Sequence, residues 1–169
     1  GLTPQTVARF KSRFHCDVAL LHSGLNDSKR LQAWQHAQTG KASIVIGTRS
    51  AIYTPLPRLG LIILDEEHDL SYKQQEGFRY HARDVALYRG HLQQCPVILG
   101  SATPSIDSYH LVESGKLHLL ELNQRAGVAR LPKMHVIDLK VAKKQHGISQ
   151  PLIEQIRQTL ERKEQVLIF

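Results

Sequence analysis

The sequence predicts an α/β protein built on a parallel sheet with helices on both faces. Three observations support this. Short aliphatic runs recur at Ser43-Ile44-Val45-Ile46, Leu61-Ile62-Ile63-Leu64 and Pro96-Val97-Ile98-Leu99, each suited to a strand buried on both faces. Helical spacing lies between them, an order that implies parallel pairing through right-handed crossovers. Each run also stops abruptly in polar or small residues: Gly47-Thr48-Arg49-Ser50-Ala51, Asp65-Glu66-Glu67-His68 and Gly100-Ser101-Ala102-Thr103-Pro104-Ser105. Ligands of such sheets bind beyond the carboxyl ends of the strands, so the three ends are expected to line one edge.

Taken in order, Val7, Phe10 and Phe14 are spaced for a helix over 3–14, with Thr3 as its cap and Pro4 in its first turn. A strand over 18–21 follows. Asn26 can cap a helix through Gln38 that carries Leu31 and Trp34 on its apolar side, and Gly40 ends it. Gly40-Lys41-Ala42-Ser43 is a turn leading into the strand over 43–46. Beyond the strands over 61–64 and 97–99, Pro104 and Ser105 open a helix over 105–113, and a strand is expected over 117–122. Periodicity then lapses, so residues 123–133 read as a linker between a domain over 1–122 and a second over 134–169. In the second, a strand over 134–139 and a basic loop over 141–147 precede a helix capped by Ser149. Leu152, Ile153, Ile156 and Leu160 share one face of that helix. No internal repeat or low-complexity tract is visible.

Composition narrows the function classes. No apolar run approaches the roughly twenty residues that cross a bilayer, so no membrane span or signal peptide is expected. Two cysteines, Cys16 and Cys95, are too few for a disulfide framework and fit a reducing cytosol. The ten histidines are scattered without a His-x-x-x-His pair, which gives no basis for a transition-metal site. A net charge of +7 attracts polyanions, with nucleic acid the natural partner. A merely solvated basic surface would show the same excess.

Asp65-Glu66-Glu67-His68 carries the most chemistry. Two acids at a strand end can hold magnesium and activate water, because phosphoryl transfer needs the metal's carboxylate and the group positioning the nucleophile within a few ångströms of each other. An acidic turn capping the next helix would use the same residues. Segment 71–80 places Tyr72, Phe78 and Tyr80 among Lys73, Arg79 and other polar residues, in a chain with only five Tyr, four Phe and one Trp. Aromatic faces stack on bases whatever their identity, while Lys and Arg meet phosphates. Packing of Phe78 and Tyr80 against the domain is the competing reading. Arg49, between Thr48 and Ser50, suits a sugar-phosphate backbone; pairing with a nearby acid is its structural alternative.

In combination these residues resemble the superfamily 2 helicases. Acid-Glu-x-His after a buried strand and Ser-Ala-Thr after a later one look like helicase motifs II and III. The wording is closest to the primosomal replication-restart helicases. Gly1-Leu2-Thr3-Pro4-Gln5 looks like the tail of their motif Ia, and Gly47 to Ala51 looks like motif Ib. The resemblance implies a RecA-like motor lobe, with the start of a second lobe at residues 165–169. It implies that Asp65 holds magnesium, that Glu66 positions water, and that His68 bridges to the Ser-Ala-Thr loop. Gly100, Ser101, Ala102 and Thr103 would couple hydrolysis to movement. Thr48, Arg49, Ser50, Tyr72, Lys73, Phe78, Arg79 and Tyr80 would meet DNA, since these and RecQ-type helicases carry an aromatic-rich loop at this place.

ATP with magnesium is the implied cofactor. Forked and single-stranded DNA, primosome proteins and single-stranded-DNA-binding protein are the implied partners, in a bacterial cytoplasm and with 3′ to 5′ translocation. No Gly-x-x-x-x-Gly-Lys-Ser/Thr occurs, so the chain is expected to be an internal slice, inactive alone and poorly soluble. The zinc-binding insertion of these helicases is expected to lie outside it, as are the arginines that complete the ATP site. A fork-remodelling translocase of the RecG kind shares the general motifs but fits Gly47 to Ala51 and Tyr72 to Tyr80 less well. A noncatalytic nucleic-acid-binding module and a metal-dependent nuclease are the readings from other classes.

Overall fold

Helical spacing at the N-terminus produces α1 (Pro4–Phe14), in which Phe10 stacks on Phe14 with ring centroids 5.8 Å apart and Val7 is buried. The computed structural model describes residues 4–124 and 133–168. After α1 come β1 (Val18–Leu21), α2 (Asp27–Gln38), β2 (Ile44–Gly47) and a 3-10 turn (Arg49–Tyr53). Next are β3 (Ile62–Asp65), a second 3-10 turn (Leu70–Tyr72), β4 (Lys73–Gln74), β5 (Tyr80–His81), α3 (Ala82–Gln93), β6 (Val97–Gly100) and α4 (Ile106–Glu113). Asn26 Oδ1 caps α2 by accepting the Lys29 N–H at 2.9 Å, and Gly40 leaves that helix at φ +74°, in the left-handed region. The proposed cap Thr3 lies outside the described residues.

The long strands pair in parallel, two by two. β1 runs beside β2 with Val18 opposite Ile44, and β3 runs beside β6 with Ile62 opposite Val97 and Asp65 opposite Gly100. Among the described residues no ladder joins β2 to β3. Instead a cavity of about 150 Å³ lies there, walled by Val45, Ile52, Leu59, Ile62 and Leu64 among others. Ile62 and Leu64 pack with Ala86 of α3 in the main apolar cluster. On the opposite face of the same pair, Ile63 is 60% and Ile98 48% exposed. β3 therefore alternates between buried and exposed, where the sequence suggested burial on both faces. Strand neighbours point to opposite sides, and among the described residues α3 covers only one of them.

Gly90 is where α3 comes closest to β6. A Cβ there would collide with Val97 Cγ2 and crowd the Cys95 carbonyl. Gly90→Ala is expected to lower stability by about 1–3 kcal/mol despite the better helix propensity of alanine. The check is a lower urea midpoint at unchanged slope.

Among the described residues neither the strands expected over 117–122 and 134–139 nor any strand at the expected start of the second lobe is formed. Residues 117–122, 134–139 and 165–168 join no ladder among the described residues, and a strand persists only where a neighbour satisfies its backbone groups. Their side chains gain little from burial either, with Val136 99% exposed. The residues 125–132 of the expected linker lie outside the described residues.

The chain divides into two compact units, Gly1–Leu119 and Leu120–Phe169. In the second, the expected basic loop is an antiparallel hairpin of β7 (Lys144–Gln145) and β8 (Ile148–Ser149). His146 and Gly147 turn it with φ of 51° and 84°, the two positive values that a two-residue hairpin of matching twist requires. α5 (Gln150–Glu161) follows directly, and Ser149 stands at its cap position. The Ser149 side chain is buried and makes no capping bond, because the residue already belongs to β8. Among the described residues no helix is long and apolar enough to cross a membrane.

Candidate active site

The chain turns sharply as it leaves β3. Asp65 is the last strand residue, and Glu66 adopts φ +52°, a left-handed conformation that costs a non-glycine residue about 1–3 kcal/mol. The turn is closed on both sides: the Glu66 carbonyl accepts the Asp69 N–H at 2.8 Å, and the Glu67 N–H donates to Gly100 O at 3.0 Å. As a result Asp65 and Glu66 face outward while Glu67 folds back into the protein. Opposite Asp65, Gly100 leaves its carboxylate uncovered, since a Cβ there would stand 3.6 Å from Oδ1.

His68 Nδ1 lies 2.7 Å from Ser101 Oγ and 3.6 Å from Glu66 Oε2. Ser101 Oγ also accepts the Thr103 N–H at 2.9 Å. Paired strands thus bring the acid turn and the Ser-Ala-Thr loop into direct contact. Gly100 and Ser101 are half-buried, whereas Ala102 and Thr103 are exposed.

Sequence reasoning gave Glu67 no role. Its side chain is only 2% exposed, yet it is fully partnered. Oε1 accepts the Ser105 N–H at 2.7 Å, Oε2 lies 2.8 Å from Ser108 Oγ and 3.1 Å from Ser105 Oγ, and Arg83 Nη1 stands 3.7 Å away. Arg83 is itself buried. It donates to Ser105 Oγ at 2.9 Å and meets Asp84 at 3.1 Å and Asp107 at 3.5 Å. The group joins the acid turn, α3 and the start of α4. The Ser105-x-x-Ser108 spacing at a helix start was the available signal, because both hydroxyls of such a pair can turn toward one acceptor.

Burial pushes the Glu67 carboxyl up, but the bonds from Ser105 and Ser108 and the Arg83 charge outweigh it and hold the group below its ordinary value of 4.5. A depressed folded value means the stabilisation is complete above the unfolded value and is lost as pH falls through the folded one. The stability advantage of wild type over Glu67→Gln is therefore expected to be constant at neutral pH and to shrink below about pH 4.5. Urea midpoints across pH 3 to 7 check this.

The aromatic segment is a small antiparallel ribbon, with Lys73 opposite His81 and Gln74 opposite Tyr80. Its rings divide into two kinds. Phe78 near the tip is 80% exposed, and Lys73 and Arg79 are exposed with it. Tyr80 is half-buried and meets Tyr53 edge-on at 5.0 Å, with Phe78 6.2 Å away. Tyr72 turns inward, and its hydroxyl donates to the Asp65 carbonyl at 2.9 Å. Burial raises the Tyr72 phenol, and the charges of Asp65, Asp69 and Glu66 add to the rise, so the hydroxyl stays a donor. Arg49 Nη1 donates to Ser71 O at 2.9 Å and Lys73 O at 3.0 Å, the carbonyls on either side of Tyr72. It forms no ion pair with an acid among the described residues, and Thr48 and Ser50 beside it are exposed.

The first unit is thus an α/β unit with two exposed acids at one strand end and Ser-Ala-Thr at the end of the strand beside it. The family model described as DEAD/DEAH box helicase matches residues 1–112, and the chain belongs to that family. Within it, the chain is 51% identical to Replication restart protein PriA of Haemophilus influenzae over 169 residues, which is all of this chain. It is 51% identical over 150 residues to Replication restart protein PriA of Synechocystis sp., covering 86% of this chain, and 40% identical over 172 residues to that of Bacillus subtilis, covering all of it. The chain spans 23%, 18% and 21% of those proteins' lengths respectively.

Proposed function

We propose that this chain is part of the motor of an ATP-dependent DNA helicase that restarts stalled or collapsed replication forks. The observation that supports it best is the contact between His68, beside the exposed Asp65 and Glu66, and Ser101 at the end of the adjoining strand. It ties a hydrolytic pair to a loop able to pass its state onward.

Asp65 offers an uncovered carboxylate, a donor suited to magnesium, which is held through one or two carboxylates and substrate phosphates and keeps several waters. Magnesium bound there would neutralise charge on the phosphate oxygens of ATP. Glu66 orients the attacking water and accepts its proton. His68 and Ser101 hold the acid turn to the loop of Gly100 to Thr103. On the DNA side, Phe78 offers a stacking face, Lys73 and Arg79 offer charge, and Thr48, Arg49 and Ser50 meet the sugar-phosphate backbone. Tyr72 and Tyr80 support this surface from within.

The working protein would translocate 3′ to 5′ in a bacterial cytoplasm, with primosome proteins and single-stranded-DNA-binding protein as partners. A zinc site would belong to other parts of it. Residues 1–169 contain no phosphate-binding loop sequence and are expected not to turn over ATP alone. The test is ATP hydrolysis by a full-length chain carrying these residues, with and without forked or single-stranded DNA, and unwinding of duplexes with 3′ or 5′ tails. DNA-stimulated turnover and unwinding from 3′ tails support the reading, and turnover indifferent to DNA overturns it.

A further inference from the structure

Glu66 is held in a backbone conformation that it would not choose, and such a residue persists only where its surroundings over-determine it. The next residue supplies that constraint. Glu67 is buried, its N–H is bonded to Gly100, and its carboxylate is fixed by Ser105, Ser108 and Arg83. Because these partners sit on α3 and at the start of α4, the Glu67 side chain cannot follow any relaxation of Glu66 toward ordinary φ without breaking all of them. We propose that Glu67, with Arg83 as its counter-ion, is a positioning residue that sets the aim of the Glu66 carboxylate at the attacking water. The proposal rests on the hydrolytic reading of Asp65 and Glu66 given above. Glu67 itself is enclosed, and nothing about its surroundings allows it to touch nucleotide.

Aim and stability must be separated, because a lone Glu67 substitution takes from Arg83 its buried counter-ion and leaves it only the exposed acids Asp84 and Asp107. Replacing both at once, Glu67→Met with Arg83→Met, removes the pair and leaves apolar side chains in the same space. In a full-length chain, this double variant is expected to melt below wild type but above a lone Glu67→Ala, because the Ser105 and Ser108 groups lose their acceptor while no charge is left buried, and to bind DNA and ATP normally. Its kcat should fall by about 10²-fold, the scale of a misplacement near 1 Å, while the KM for ATP is unchanged. Glu67→Gln, which keeps the shape and part of the bonding, is expected to lose about tenfold in kcat.

A double variant that folds and turns over ATP at the wild-type rate overturns the proposal, since the network would then be purely structural. If the double variant does not fold, Glu67→Gln decides in the same way: a wild-type kcat overturns it, and a loss at constant KM supports it. Wild type without ATP turnover would bring down the hydrolytic reading, and this inference with it.

Discussion

Glu66→Gln in a full-length chain is expected to reduce DNA-stimulated ATP turnover by about 10²–10⁴-fold, the usual contribution of a positioned general base. The change is isosteric, so it removes the proton acceptor without altering the volume of the turn. Because the Glu66 side chain is mostly exposed, the fold has little stake in its charge. DNA binding should be preserved, because Phe78, Lys73 and Arg79 stand on the ribbon and not on the acid turn. Fluorescence anisotropy with single-stranded DNA, run beside the hydrolysis assay, separates the two outcomes. If turnover survives, Glu66 is not the residue that handles water, and the acids revert to a turn that caps structure.

Glu67→Ala is expected to have the largest effect on stability, a loss of about 3–5 kcal/mol. The substitution removes the buried acceptor of the Ser105 N–H and the Ser108 hydroxyl and leaves Arg83 with only its exposed acidic partners Asp84 and Asp107, and breaking a buried pair from one side is far more costly than removing the pair whole. Against a typical total of about 5–15 kcal/mol, that is enough to unfold a substantial fraction of molecules. Urea unfolding of the chain followed by circular dichroism reads it directly. A shift under about 1 kcal/mol would show that the network contributes no more than an exposed ion pair.

Most of the α/β order was legible, for identifiable reasons. The strands over 61–64 and 97–99 announced themselves because a fully apolar run of four has few other uses, and Asn26 marked a helix start because its side chain can satisfy an orphan N–H. The segments at 117–122 and 134–139 have the same composition as strands but found no partner among the described residues. Pairing is a property of two segments, whereas periodicity is read from one. At the site, the expected bridge from His68 to the Ser-Ala-Thr loop came from the resemblance, and the register of Asp65 against Gly100 is what brings the two into contact. The sequence could not show which of three consecutive acids faces inward, because that depends on the positive φ at Glu66. Tyr72 was grouped with the DNA-facing rings for its place in the aromatic-rich segment and by the resemblance. The hydrogen bond from its hydroxyl to the Asp65 carbonyl could not be read from the sequence.

The two bonds that Arg49 gives to the ribbon both come from one nitrogen, Nη1. A guanidinium has five N–H groups in a planar fork, so holding the loop leaves its remaining donors without a hydrogen bond among the described residues. The sequence posed grip on a phosphate and internal support as rivals, but donor counting makes them compatible. Under the proposed function, a DNA strand would be grasped by the same side chain that holds the backbone on either side of Tyr72. The two ends of the engine would then share one rigid plane of atoms.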